Sequence, residues 1–374
     1  MIQNLALVMT GGGARAAYQV GVVRALYEVL KNESSFFDII TGNSAGAINS
    51  TYLASNAKDW DIATNNLVDL WKQLKPQQVY DLRARTVTGL GVKWLGGAVF
   101  GGLTPTGSHI NHLLDTAPLK RLLTREVDFE DIKKNIQDKT LRGVALSTTN
   151  YNSGSNVVFF QGSSDISDWS RSDRFSLRED LNIDHLMASA AIPFFFPPIK
   201  VGESYYGDGC VRQTTPLSPA IHLGAKKIIA IGVRFPHNQK RMQDLALSPF
   251  KDPTIGQISG VMMNAVFLDS LESDVERMMK INSLIREGHH DEFKAIPILM
   301  LRPSRDLGRM TEKLNEELPP TLRYLLKGIG VSDKEGLDLL SYLAFDKSYT
   351  VPLMELGYED TIKKRDEIQD FIGA

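Results

Sequence analysis

Gly42-Asn43-Ser44-Ala45-Gly46 is a G-x-S-x-G pentapeptide. A serine at this spacing suits nucleophilic attack on an acyl carbonyl. The reason is steric. A nucleophile on a sharp strand-to-helix turn takes a strained backbone conformation, and Gly42 and Gly46 remove side chains that would clash. The positive end of the next helix then lies beside the hydroxyl. A second cluster is Met9-Thr10-Gly11-Gly12-Gly13-Ala14-Arg15. Consecutive glycines at a helix N-terminus let backbone amides approach a negative charge closely. Three uses are open: an oxyanion hole beside a serine nucleophile, a dinucleotide site, or a tight structural turn. The nucleotide use arises because Gly11 to Ala16 also satisfies G-x-G-x-x-G/A. It expects an acidic residue at the end of the second strand. That end is Thr41-Gly42, and Asp38 lies at the beginning. The oxyanion use is favoured. Arg15 opposes the helix dipole, which leaves two explanations of equal weight. One is a salt bridge to a carboxylate. The other is orientation of the glycine loop, or contact with a phosphate.

A serine needs a proton acceptor. The seven histidines are His109, His112, His185, His222, His237, His289 and His290, and none lies in a motif that marks a triad histidine. His109 and His112 are spaced i, i+3 without a nearby third ligand, so no metal site is expected. Tyr205-Tyr206-Gly207-Asp208-Gly209-Cys210 is more suggestive. An aspartate between two glycines can approach another loop closely, but from spacing alone an ordinary Asp-Gly turn is the favoured reading.

These groups need a frame. Apolar runs at residues 5–9, 37–41, 141–148, 156–160, 226–233 and 296–301 read as strands. Helical spacing covers 15–30, 45–55, 61–74 and 181–191, and one long helix is expected over 255–285. The strand–helix–strand–helix opening predicts an α/β fold with a central, largely parallel sheet. Beyond residue 302 the chain reads as mostly helical. The polar stretch 236–243 marks the best boundary, giving a catalytic domain at 5–234 and a helical C-terminal extension at 235–374 packed on it. Residues 89–107 hold seven glycines around Trp94, Val99 and Phe100. That segment reads either as a lid or membrane-touching loop, or as a packed surface loop. Ile192-Pro193-Phe194-Phe195-Phe196-Pro197-Pro198 is apolar enough to line an acyl channel, and core packing explains it equally well.

Lys plus Arg total 42 and Asp plus Glu 44, for a net charge of −2, so there is no overall basic field for nucleic acid. Hydrophobic residues are 43% and charged residues 23% of the 374, which excludes a disordered chain. The lone Cys210 excludes an internal disulfide and a multi-cysteine zinc site. The first residues lack a basic n-region and a long apolar core, so no signal peptide is expected. No run of about 18 apolar residues suggests a spanning helix. A cytoplasmic location, with peripheral contact at a membrane, is the expectation.

Together these residues resemble the patatin-like phospholipase family. Its glycine-rich oxyanion loop ending in Arg matches Gly11-Gly12-Gly13-Ala14-Arg15. Its elbow matches Gly42-Asn43-Ser44-Ala45-Gly46, and its D-G-G/A motif matches Asp208-Gly209. Ala188-Ser189-Ala190-Ala191-Ile192-Pro193 looks like the segment that precedes that aspartate. The resemblance runs over about residues 5 to 232, and more loosely over 268–282 and 341–358. It implies a three-layer α/β/α patatin-like fold. It also implies a Ser–Asp dyad of Ser44 and Asp208, and calcium-independent hydrolysis of lipid or phospholipid esters through an acyl-enzyme, without cofactor or metal. An acyltransferase or thioesterase on the same dyad, or a non-catalytic lipid-binding module, are the alternatives. Cys210 departs from the family, which usually has Gly or Ala there.

Overall fold

The computed structural model describes residues 4–31, 36–81, 111–236, 239–247, 252–288, 294–312, 314, 318–332 and 335–373. The glycine-rich segment 89–107 lies outside them. The chain opens with β1 (Leu5–Met9), α1 (Ala17–Leu30), β2 (Ile39–Gly42), α2 (Ala45–Ser55) and α3 (Trp60–Gln73). The sheet continues through β3 (Gly143–Asn150), β4 (Asn156–Gly162), β5 (Ser170–Arg171) and β6 (Arg174–Arg178). It ends with β7 (Ile199–Val201), β8 (Ser204–Asp208), β9 (Lys227–Ile231) and β10 (Ile298–Leu301). The main path is β10-β9-β1-β2-β3-β4-β6-β5, with β8 also paired to β3 and β7 to β8. The run from β10 to β3 is parallel throughout, while β4 and β8 run antiparallel to β3.

Alternation along the strands builds a three-layer α/β/α fold. Leu5, Leu7 and Met9 of β1 enter one core, with α1, α2, α3 and the C-terminal helices Leu337–Leu343 and Lys347–Ile362. Ala6 and Val8 enter the other, with Leu217, Ala220, Leu271 and Val275. Successive side chains of a strand point to opposite faces, so a strand buried on both reads as a continuous apolar run.

The single helix expected over 255–285 is two helices, Ile255–Phe267 and Asp269–Arg286. The break at Leu268 has a packing cause. Phe267 and Leu268 join the first core, whereas Leu271 and Val275 join the second. A straight helix cannot serve both faces of the sheet.

β3 decides where the functional groups meet. Its residues 143–146 pair with β2 (Ile39 to Gly42). Its residues 148–150 pair with β8, with Thr148 opposite Asp208. β8 therefore takes up the edge of β3 just beyond the point where β2 ends. The end of β2, which carries the serine elbow, and the end of β8, which carries Asp208, arrive side by side.

Candidate active site

Ser44 follows β2 and caps α2 with φ 54° and ψ −134°. Positive φ is costly for a residue with a side chain, by about 1–3 kcal/mol, and such strain persists only when its surroundings over-determine it. Two contacts do so. Gly46 packs its Cα against the Met9 and Thr10 carbonyls, where any Cβ would overlap them. The Ser44 N–H donates to the Ser189 carbonyl at 3.0 Å. Ser189 is fixed in turn, because its hydroxyl donates to the Ser147 carbonyl of β3 at 2.7 Å. Two residues on, the Ala191 carbonyl accepts from the Asp208 N–H at 3.0 Å. The segment from Ser189 to Ala191 is thus a strut that ties the serine to the aspartate.

Asp208 is fully buried. Its Oδ1 accepts from the Cys210 N–H at 2.9 Å. Burial pushes its carboxyl up to about 7, against hydrogen bonds from the Ser44 hydroxyl, the Cys210 N–H and the Cys210 thiol that favour the charged form. The Ser44 hydroxyl reaches the carboxylate, yet buried Oδ2 has no partner in full hydrogen-bond geometry. Such contacts are commonly loose in a free enzyme and tighten around substrate. Burial also pushes the Cys210 thiol well up, so it stays protonated and able to donate.

The glycine loop joins β1 to a single 3-10 turn, Gly13–Ala16. Gly13 has φ 57°, and a Cβ there would overlap the Tyr342 carbonyl oxygen. Arg15 is buried; its Nε donates to Ser341 Oγ at 2.7 Å and its guanidinium pairs with Asp338 at 2.7 Å. It also lies 4.7 Å from the centre of the Tyr342 ring. The salt-bridge explanation for Arg15 therefore holds, and its partner comes from the far end of the chain. Nothing in the local sequence around Arg15 points to Asp338, Ser341 or Tyr342.

Beside Ser44 lies a narrow apolar cavity. Ile48 and Trp71 line it, as do Leu119, Leu122, Ile192, Phe196 and Phe345. Of the phenylalanine run, Phe196 faces this space while Phe194 is 79% exposed, with φ 68°. The three described histidines have other partners: His112 Nδ1 contacts Asn111 Oδ1 at 2.8 Å. His185 accepts from the Asn182 N–H at 3.2 Å, and His222 stacks on Trp169 at 4.7 Å. Among the described residues no three His, Cys, Asp or Glu side chains gather as a metal site, and no helix is long and apolar enough to cross a membrane. The arrangement combines a strained serine, a buried carboxyl of raised pKa and an apolar slot. It suits attack on an ester whose acyl group is hydrocarbon.

The patatin-like phospholipase family model matches residues 7–221. Among solved structures, VipD from Legionella pneumophila is similar over 98% of this chain and 67% of its own, at 14% identity and a TM-score of 0.35. Human GIVD cytosolic phospholipase A2, in complex with methyl gamma-linolenyl fluorophosphonate, is similar over 100% of this chain and 59% of its own. Its identity is 12% and its TM-score 0.43. This chain thus spans less than two thirds of that protein. Full-length ExoU from Pseudomonas aeruginosa, in complex with SpcU, aligns over 96% of this chain and 77% of its own. Its identity is 11% and its TM-score 0.27. No curated protein matches this chain.

Proposed function

The chain belongs to the patatin-like phospholipase family, a family of lipid hydrolases, and from that premise we propose that it is a calcium-independent serine acyl hydrolase of lipid or phospholipid esters. Ser44 Oγ attacks the ester carbonyl carbon while its proton passes to Asp208. The amides of Gly12 and Gly13 face the developing oxyanion, and Arg15 holds their loop. Collapse of the tetrahedral intermediate breaks the bond to the alcohol, which leaves with the proton held by Asp208. Water then attacks the acyl-enzyme, Asp208 takes the water's proton, and the fatty acid departs as Ser44 is reprotonated. A free aspartate is a weak base for a hydroxyl. A carboxyl raised to about 7 is much better matched to the task.

One observation carries the reading: the strained Ser44 lines an apolar cavity and lies against a fully buried Asp208. The catalytic unit is read as 5–234, with 235–374 as its helical extension. The reading is tested by offering wild type and Ser44→Ala a panel of phospholipids and neutral esters in EDTA, with fluorophosphonate labelling alongside. Fatty acid release and labelling that vanish together in Ser44→Ala support it. Release that needs added calcium, or that survives in Ser44→Ala, overturns it.

A further inference from the structure

Three buried polar side chains outside the dyad form one line. Trp71 of α3 borders the apolar cavity, and its indole N–H donates to Asn49 Oδ1 at 2.9 Å. Asn49 of α2 donates from Nδ2 to Gln19 Oε1 at 3.1 Å and to the Ala16 carbonyl at 3.2 Å. Gln19 of α1 donates from Nε2 to the Thr10 carbonyl at 2.6 Å. Gln19 and Asn49 are completely buried and Trp71 nearly so. Burying amides costs free energy unless they are paired. Hydrocarbon side chains would fill the same space without that risk.

The line ends on a peptide that matters. The Thr10 carbonyl and the Gly11 N–H belong to one planar trans unit, so fixing the first direction fixes the second. Gly11 packs closely against Cys210 and the elbow. A Cβ on Gly11 would stand 2.5 Å from that sulfur and 2.6 Å from Ser44 Cβ. Gly46 of the elbow also packs on the Thr10 carbonyl. Gln19 therefore braces the glycine loop, the elbow and Cys210 at once. Cys210 is the residue next but one to the base, and its N–H holds Asp208 Oδ1.

Resting on the hydrolase reading, we propose that Gln19 and Asn49 are positioning residues that couple Trp71, in the wall of the acyl cavity, to the Thr10–Gly11 peptide. Filling the cavity with a long acyl chain then aligns the catalytic loop, and long-chain esters turn over faster for that reason. The donors all run one way, from Trp71 toward Thr10, so each bond polarises the next. A wall that served only for binding would act on KM. A wall wired to the loop acts on kcat.

The test compares wild type, Gln19→Met, Trp71→Phe and the double variant on p-nitrophenyl butyrate and dodecanoate, with the melting temperature of each. Met keeps the length of Gln without its amide, and Phe keeps a ring without the N–H. The ratio of dodecanoate kcat to butyrate kcat should fall about fivefold in each single variant, the size expected for one lost hydrogen bond. The double variant should fall no further than the worse single, because the two residues act through one line. An unchanged ratio overturns the proposal. So do effects that multiply, or equal losses on both esters that track the melting temperature. Should Gln19→Met not fold, the ratio in Trp71→Phe decides alone. A wild type inert toward both esters overturns the hydrolase reading and this coupling together, whereas an active wild type with unmoved ratios overturns only the coupling.

Discussion

Ser44 and Asp208 set the behaviour expected at the level of single groups. Ser44→Ala should lower ester hydrolysis by at least about 10³-fold, because covalent attack has no other hydroxyl at the elbow. Burst and steady-state assays with p-nitrophenyl esters check it. Asp208 must be ionised to take a proton, so kcat should fall as pH drops through about 7, and the acid limb should be absent from any residual rate in Asp208→Asn. The same raised pKa has a consequence for stability. The folded state holds this proton more tightly than the unfolded chain, so stability falls as pH rises from 3.8 toward about 7. Asp208→Asn removes the buried charge and should melt a few degrees above wild type at pH 8, with little difference at pH 4. Thermal unfolding across pH measures both limits. A variant both inactive and less stable at pH 8 would argue that Asp208 serves the fold.

At the level of elements, the glycine loop depends on the helix Leu337–Leu343. Gly13→Ala meets both a positive φ and the Tyr342 carbonyl, so it should cost on the order of 1–3 kcal/mol and most of the activity. The Asp338 side chain is 42% exposed, which screens its pairing with buried Arg15. Asp338→Asn should therefore cost about 1 kcal/mol, with Ser341 and the Tyr342 ring still holding the guanidinium. Urea unfolding with paired kinetic assays separates the two variants, and a silent Gly13→Ala would show that the loop has room to move. The helix Ile183–Ser189 is readable from the helical spacing over 181–191, and the structure starts it at Asn182, whose side chain accepts from the Asp184 and His185 amides. The partner of Arg15 is not, because 323 residues separate it from Asp338.

Across the whole molecule, the helical C-terminal part is built into the site. β10 extends the central sheet beside β9, and Phe345 lines the cavity. Helix Lys347–Ile362 lies tightly on α1, where Gly21 meets the Met354 carbonyl and Gly357 meets the Tyr18 carbonyl. Tyr18 donates to buried Asp360, which also accepts from Ser304. A chain ending at residue 234 should consequently expose the face of α1, bare an edge of the sheet and leave Arg15 without Asp338. It should fail to give a cooperative melt or any fluorophosphonate labelling. Circular dichroism and limited proteolysis check this, and a stable, labelled 1–234 fragment would prove the extension dispensable.

Order along the chain determined a good deal. The apolar runs of β1, β2, β3 and β9 and the spacing in α1, α2 and α3 forecast a parallel α/β core, because strand and helix periods are local properties. The elbow at Ser44 and the loop at Gly11 to Arg15 stand out by residue type, whereas the Asp208-Gly209 turn stands out only through the family resemblance. Tertiary structure decided the rest. Asp208 comes within reach of Ser44 because β8 takes over the edge of β3 where β2 ends. Its pKa rises because that junction is buried. The helix expected over 255–285 breaks because its halves serve opposite faces of the sheet. Gln19, Asn49 and Asp338 carry no local signal, since each acquires its neighbours only when distant helices pack. Desolvation and contact between remote segments are properties of the packed chain, and no local pattern contains them.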